Sequence, residues 1–364
     1  MKRSLTATAA VAALLAATGP AWSAPDRASA ADQARELEKF WTPRRMAEAE
    51  PVEEQQARER PPPSASPSHT FKGIKEVGTF YWAQKAGDDY PDRYDYRFCG
   101  GTVVPSPGKN LVASAAHCFD SDGRRRKNFV FVPQHSAKSP MPHGMYPINE
   151  GHIFKDPGYT GSKESEENFT DVDVAFLATE PRGDGKEVES VVGAVPMGFN
   201  TGFHHTVHAI GYPYLYGGGN YRPKQDPLSC TTPTKKYVTG NTEDSGGRLW
   251  RGGTFTEINC DGYVGGTSGG PFITAGGEPP RLIGVTGGWM TGGHSADTSF
   301  ASYFDDDVKR IYDTAKAGVN VPLPPSRRPV PPAAAGPAEA APAGAGQLSS
   351  STSASVAEPS GTSR

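Results

Sequence analysis

Three short stretches of the chain set a hydroxyl, an imidazole and a carboxylate in surroundings suited to nucleophilic chemistry. In Gly265-Gly266-Thr267-Ser268-Gly269-Gly270-Pro271, Ser268 sits inside a run of glycines. Side chains there are too small to cover its hydroxyl, and the nearby backbone N–H groups can converge on a developing oxyanion. The competing reading is a plain glycine-rich turn, of which this chain has many. Leu111-Val112-Ala113-Ser114-Ala115-Ala116-His117-Cys118 places an imidazole directly before a cysteine. Asp171-Val172-Asp173-Val174-Ala175-Phe176-Leu177 puts an acid at the mouth of an apolar strand, where it can accept from the second imidazole nitrogen. Asp171 and Asp173 share a strand face, so a period of two does not choose between them. A hydroxyl, a base and an acid that orients the base are the parts of an activated nucleophile for acyl transfer.

The elements that must carry these groups follow from composition and pattern. Of 364 residues, 43 are Gly and 34 Pro, only 36% are hydrophobic, and mean hydropathy is -0.54. So much Gly and Pro excludes a long helical bundle. The longest apolar run, Ala9–Ala17, falls short of the ~20 residues a membrane span needs. A net charge of -3, from 37 basic and 40 acidic side chains, supplies no general field for nucleic acid or an anionic membrane. A peptide or protein substrate is the expected partner, with no nucleic acid and no membrane anchor, for a monomer.

The chain divides by texture. Lys2 and Arg3, the apolar Ala9–Ala17 and the small-residue exit Ala21-Trp22-Ser23-Ala24 read as a secretory signal over 1–24. Residues 25–70 hold two helix-forming runs, Ala31–Trp41 and Pro43–Ala49, and then turn Pro- and Ser-rich; the reading is a propeptide, with a disordered linker as the alternative. From Phe71 to Gly318 short β-rich runs recur between turn signals: Val77–Trp82, Thr102–Val104, Phe129–Val132, Val172–Leu177, Val188–Val192, Thr206–Ile210, Lys235–Thr239, Pro271–Ile273, Leu282–Val285 and Phe300–Phe304. That spacing predicts an all-β domain of two packed barrels. An acidic first turn at Asp305–Asp307, apolar Val308, Ile311, Tyr312 and Ala315, and Gly318 predict a closing helix over 305–317. Residues 319–364 are Pro-, Ala- and Ser-rich and read as a disordered tail.

Four cysteines behind a signal segment read as disulfides formed in an oxidising, extracellular compartment. Their spacings favour local pairs, Cys99 with Cys118 and Cys230 with Cys260. No Cys-x-x-Cys spacing is present, so no metal site is expected. His204, His205 and His208 lack an accompanying carboxylate spacing and read as a strand-end patch, and Arg124–Lys127 as a solvated loop.

Taken in the order His, Asp, Ser, the three motifs resemble those of chymotrypsin-like serine peptidases, from about Phe71 to Ala317. Cys99-Gly100-Gly101-Thr102-Val103-Val104 resembles that family's strand before the histidine motif Ser114-Ala115-Ala116-His117-Cys118. Asp173-Val174-Ala175-Phe176-Leu177 resembles its aspartate motif, which selects Asp173, and Gly266-Thr267-Ser268-Gly269-Gly270-Pro271 its serine motif. Ile210-Gly211-Tyr212-Pro213 resembles the bacterial secreted branch that includes glutamyl endopeptidases, and Phe40-Trp41-Thr42-Pro43-Arg44-Arg45-Met46 the pro-segments of actinobacterial members. The resemblance implies two six-stranded antiparallel barrels (about 71–193 and 194–304), a secreted serine endopeptidase needing no cofactor, a triad of His117, Asp173 and Ser268, and an oxyanion hole from the N–H groups of Gly266 and Ser268.

It also brings Gly262, Thr286, Gly287 and Trp289 to the substrate pocket. Two positions depart from the family pattern. Thr267 stands where digestive members have the Asp that pairs with a newly cut N-terminus. Gly262 and Thr286 stand where other branches have an acid or a His, so neither Arg/Lys nor Glu preference is indicated, although Asp261 is one residue away. The alternatives are an inactive protease-fold binding protein, which an incomplete triad would favour, and a secreted esterase, whose chain order would be Ser, acid, His.

Overall fold

The computed structural model describes residues 27–52, 65–85, 93–119, 126–160, 168–214, 226–243, 247–276, 279–293, 295 and 297–318. The expected signal segment and tail lie outside them, as do Arg124 and Arg125 of the basic run; Arg126 and Lys127, expected in a solvated loop, instead open a strand. The first described piece is helical: α1 (Arg27–Phe40) and α2 (Pro43–Glu48) precede a two-residue strand, β1 (Glu50–Pro51). Ala34, Leu37 and Trp41 recur along one face of α1 and its exit and are buried, while Asp32–Arg35 and Glu36–Lys39 pairs line the exposed side. Thr42 caps α2, its Oγ1 accepting from the Arg45 N–H at 3.2 Å, and Pro43 occupies the first turn.

Strands β3 (Val77–Lys85), β4 (Tyr94–Val104), β5 (Leu111–Ser114), β6 (Arg126–Pro133), β7 (Tyr146–Lys155) and β8 (Ala175–Thr179) bond in the order β4-β3-β6-β7-β8-β5, and β4 also pairs with β5. That last pairing closes a six-strand barrel. Side chains alternate between its two faces. Phe80, Val103, Val112, Phe131 and Leu177 fill the interior. Tyr81, Phe98, Val104, Ala113, Val130 and Phe176 point outward, yet they too are buried, beneath the N-terminal helices, the second half of the molecule and the closing helix. Burial on both faces explains why these strands read as continuous apolar runs.

The second half comprises β2 (Ser68–Thr70), β9 (Thr206–Gly211), β10 (Leu228–Pro233), β11 (Lys235–Thr239), β12 (Thr242–Glu243), β13 (Leu249–Trp250), β14 (Gly253–Asn259), β15 (Pro271–Thr274), β16 (Leu282–Val285) and β17 (Thr298–Ser302). A five-stranded sheet, β16-β15-β9-β10-β2, meets a three-stranded one, β11-β14-β17, through a bridge between Thr286 and Ala301. Val207, Ala209, Phe272 and Ile283 share a core there with Ile258 and the Cys230–Cys260 disulfide.

The structure changes the reading of individual segments. Val188–Val192, predicted as a strand, is a short helix, α3, ended by Gly193 at φ 77°. Its two ends, Val188 and Val192, fall one helical turn apart and are both buried, so packing overrides β-branched propensity. Ser68–Thr70, placed in the linker, pairs with Leu228–Cys230 as an edge strand. The helices at 27–48, read as a propeptide, pack Leu37, Trp41 and Met46 against the outer face of the first barrel, in one cluster with Tyr81 and Phe98. The closing helix α4 (Asp306–Ala317) matches its sequence signals: Asp305 caps it by accepting from the Asp307 and Val308 N–H groups, and Gly318 ends it in the left-handed region.

Candidate active site

His117 opens a single 3-10 turn, His117–Phe119, three residues past β5. Cys118 in that turn is bonded to Cys99 in β4, with Cα atoms 6.2 Å apart. The antiparallel register Ser114↔Ala175 between β5 and β8 brings the exit of one strand to the entrance of the other. Asp173, at the end of the 3-10 turn Thr170–Val172, therefore arrives beside His117. Asp173 Oδ1 accepts from the His117 backbone N–H at 2.8 Å, and Oδ2 lies 2.6 Å from the ring Nδ1. Oδ2 also accepts from the Gly288 N–H at 2.8 Å.

Complete burial pushes the Asp173 carboxyl up, but the charge of His117 and the hydrogen bonds from its ring, its backbone N–H and Gly288 outweigh that and hold the group below its ordinary value. Of the two acids that spacing left open, it is Asp173 that is buried on the histidine; Asp171 is half-buried beside Gly253. The other ring nitrogen, Nε2, lies 3.9 Å from the Cys118 sulfur, so the disulfide flanks the imidazole.

The serine loop is clamped by its main chain. The Ser268 carbonyl accepts from the Gly100 N–H at 2.8 Å, tying the loop to the residue after Cys99. Gly269 N–H donates to the Thr286 carbonyl and Thr286 N–H to the Gly270 carbonyl, each at 2.8 Å. A Cβ on Gly269 would fall 2.2 Å from Ser114 Oγ and 2.3 Å from the Gly100 carbonyl oxygen, and its φ is +74°. A side chain is excluded there on both grounds. Gly266, at φ +95°, is packed as closely: its Cβ would lie 2.7 Å from the Tyr212 carbonyl and 2.9 Å from the Phe98 ring. Ser268 is only 4% exposed and His117 is buried as well, so the small side chains of the loop do not leave the hydroxyl open as expected. Among the described residues the Ser268 N–H donates to no backbone carbonyl.

The expected pocket residues divide. Gly287 touches the acid, since a Cβ there would lie 2.8 Å from Asp173 Oδ2. Thr286 is 3% exposed, with an Oγ1 that finds no hydrogen-bond partner among the described residues. Trp289 packs into an aromatic cluster with Trp250, Phe255 and Tyr237, with ring centroids 5.8–6.4 Å apart. Gly262 follows Asp261, whose backbone N–H donates to the Ser66 carbonyl. His208, from the expected surface patch, is half-buried on Ser229 Oγ, and burial followed by the charge of His69 lowers its pKa. Sequence reasoning missed the main-chain donors Gly100 and Gly288, because a backbone N–H leaves no residue-type signal. Runs of glycine at both positions were the available hint.

This is the chymotrypsin-like fold, with a buried His–Asp pair and a glycine-lined serine loop where its strands meet. The chain belongs to the trypsin family, whose model, described as Trypsin, matches residues 82–309. Among solved structures it is similar to the protease Anisep from Arthrobacter nicotinovorans, at 20% identity over 69% of this chain and 99% of that one, with a TM-score of 0.51. It is also similar to the thermostable serine protease AL20 from an extremophilic microorganism, at 23% identity over 66% of this chain and 97% of that one, TM-score 0.49. These likenesses are of fold. No curated protein matches the chain.

Proposed function

We propose that the protein is a secreted serine endopeptidase. Ser268 Oγ attacks the scissile carbonyl, His117 takes its proton and returns it to the leaving amine, and Asp173 holds the imidazole tautomer and stabilises the imidazolium. Gly266 and Ser268 N–H groups receive the oxyanion, each such donor being worth roughly 3–4 kcal/mol. The observation that carries the reading is Asp173, a buried carboxylate held ionised on His117 by the imidazole and two backbone donors. A structural acid would not need to be paired with the imidazole that precedes a disulfide beside the serine loop.

Both disulfides and the leader-like start of the sequence support secretion. Thr267 Oγ1 donates to the Val264 carbonyl at 3.0 Å. Thr267 offers no carboxylate to a buried new α-amino group, and burying that charge without a partner is costly. Activity should therefore be insensitive to which residue begins the processed chain.

Kinetics of variants test the assignment. Ser268→Ala and His117→Ala are each expected to abolish hydrolysis of a casein-type substrate while melting like the parent. Asp173→Asn should lower kcat by about 10⁴ by supplying the wrong hydrogen-bond partner to the ring. Near-parental turnover by Ser268→Ala would refute the assignment.

A further inference from the structure

The N-terminal segment reaches the serine loop. β1 runs parallel to β4, with Glu50 opposite Arg97 and Pro51 opposite Phe98. Phe98 is the residue whose ring packs on Gly266, and Pro51 Cγ itself sits 4.0 Å from where a side chain on Gly265 would begin. On either side of this point β4 is already occupied: β3 pairs along one edge, and β5 takes Thr102–Val104 on the other. Glu50 and Pro51 take Arg97 and Phe98 on that second edge, and the chain heads in the direction of Gly100, the residue bonded to Ser268. An open strand edge beside a reactive group is where an extended peptide adds its backbone.

The segment is held there by both side chains and main chain. Arg97 pairs with Glu50 at 3.6 Å and donates to the Pro51 carbonyl at 3.2 Å. Tyr214 OH donates to Glu50 at 3.4 Å, while Tyr214 N–H donates to the Gly265 carbonyl at 2.8 Å. Val52 then packs on the cluster that includes Cys99, Cys118 and Ala116. Behind this tip lies an anchor. Trp41 is fully buried, its Nε1 donating to the Asn128 carbonyl at 2.6 Å and its ring 5.5 Å from both Tyr81 and Tyr96. Met46 and Ala49 are fully buried in the same cluster as Tyr212 and Tyr214.

We propose that residues 27–52 are a built-in inhibitor: Glu50–Val52 fill the β4 wall of the cleft, where an extended peptide substrate lies, and the Trp41–Met46 anchor keeps them there after the chain is cut. This rests on the peptidase reading above. Cutting the chain beyond Val52 is then insufficient for activation, because release must also withdraw buried aromatic and aliphatic side chains.

The test uses the full chain with a site for an unrelated protease placed between residues 53 and 64. The folded protein is compared uncut, cut, and cut then stripped of its segment in mild denaturant. Two readouts are taken: hydrolysis of a long peptide, and labelling of Ser268 by a small serine-directed phosphonate that needs no strand edge. The uncut and cut forms are expected to hydrolyse the peptide at least about tenfold more slowly than the stripped form, the segment occupying nine molecules in ten or more. The cut segment should co-elute with the domain, and the phosphonate should label all three forms. Glu50→Ala, which leaves the anchor intact, should raise the rate of the cut form several-fold; Trp41→Ala should release the segment on cutting. Both variants give the same stripped molecule as the parent, so a change in the cut form alone reports the segment. Equal peptide rates in all three forms with labelling throughout, or a segment that elutes by itself on cutting, would overturn the inhibitor and leave the peptidase. Absence of labelling in every form would overturn the peptidase reading and the inhibitor with it.

Discussion

Around Ser268 the residue that decides the geometry is a glycine, Gly269, rather than the serine itself. Gly269 combines a left-handed φ with contact to Ser114 and Gly100, so Gly269→Ala should destabilise the protein by about 3 kcal/mol or more, read as a lower denaturant midpoint. Gly287→Ala is expected to act differently. Its Cβ would press on Asp173 Oδ2, so kcat should fall more than stability does, and a fall in midpoint with unchanged kcat would contradict this role. At this scale the His117–Asp173 pairing was legible because both residues stand in distinctive motifs. Asp171 against Asp173 was not resolved by strand period, since both lie on one face; the buried contact with His117 separates them. Main-chain donors left no trace beyond glycine. His208 gives a pH prediction. Its pKa is lowered by burial and by the charge of His69, so its stabilising contribution is present above the ordinary imidazole pKa of about 6.5 and is lost as pH falls from there through the folded value. His208→Gln should shrink the drop in thermal midpoint between about pH 7 and about pH 5, and an unchanged drop would assign it elsewhere.

Among the elements, those with local signals were readable and those made by tertiary pairing were not. α4 has an acidic cap, a buried i, i+3, i+4, i+7 face and a terminal glycine, all visible in sequence; Asp305→Ala should cost about 1 kcal/mol in unfolding free energy. α3 was misread because three of its five residues are valine, and only its fit against the barrel makes it helical. β2 escaped notice since its Ser68-His69-Thr70 has no apolar alternation; it is a strand because β10 offers an edge. The Cys99–Cys118 bond ties β4 to the turn that bears His117. Replacing both cysteines by alanine should cost about 3 kcal/mol of stability and should lower kcat as well, because the turn loses its staple. Full kcat with reduced stability would show that strand pairing alone positions the histidine.

For the whole molecule, a closed six-strand barrel and the closing helix followed from turn spacing and texture, whereas the N-terminal helices, short, charged and followed by Pro and Ser, gave no sign of which face they bury. Their apolar residues are few, but Leu37, Trp41 and Met46 all point one way and all are buried. In the assembled chain the serine loop is bounded by β4, by the Thr286–Gly288 turn and by the N-terminal strand, and the same turn donates from Gly288 to Asp173. The most direct test of this arrangement is covalent labelling by a serine-directed phosphonate followed by peptide mapping. The account predicts one adduct per molecule, on the peptide containing Ser268, lost in His117→Ala although that variant keeps the hydroxyl. An adduct on another residue, or undiminished labelling of Ser268 without His117, would contradict it.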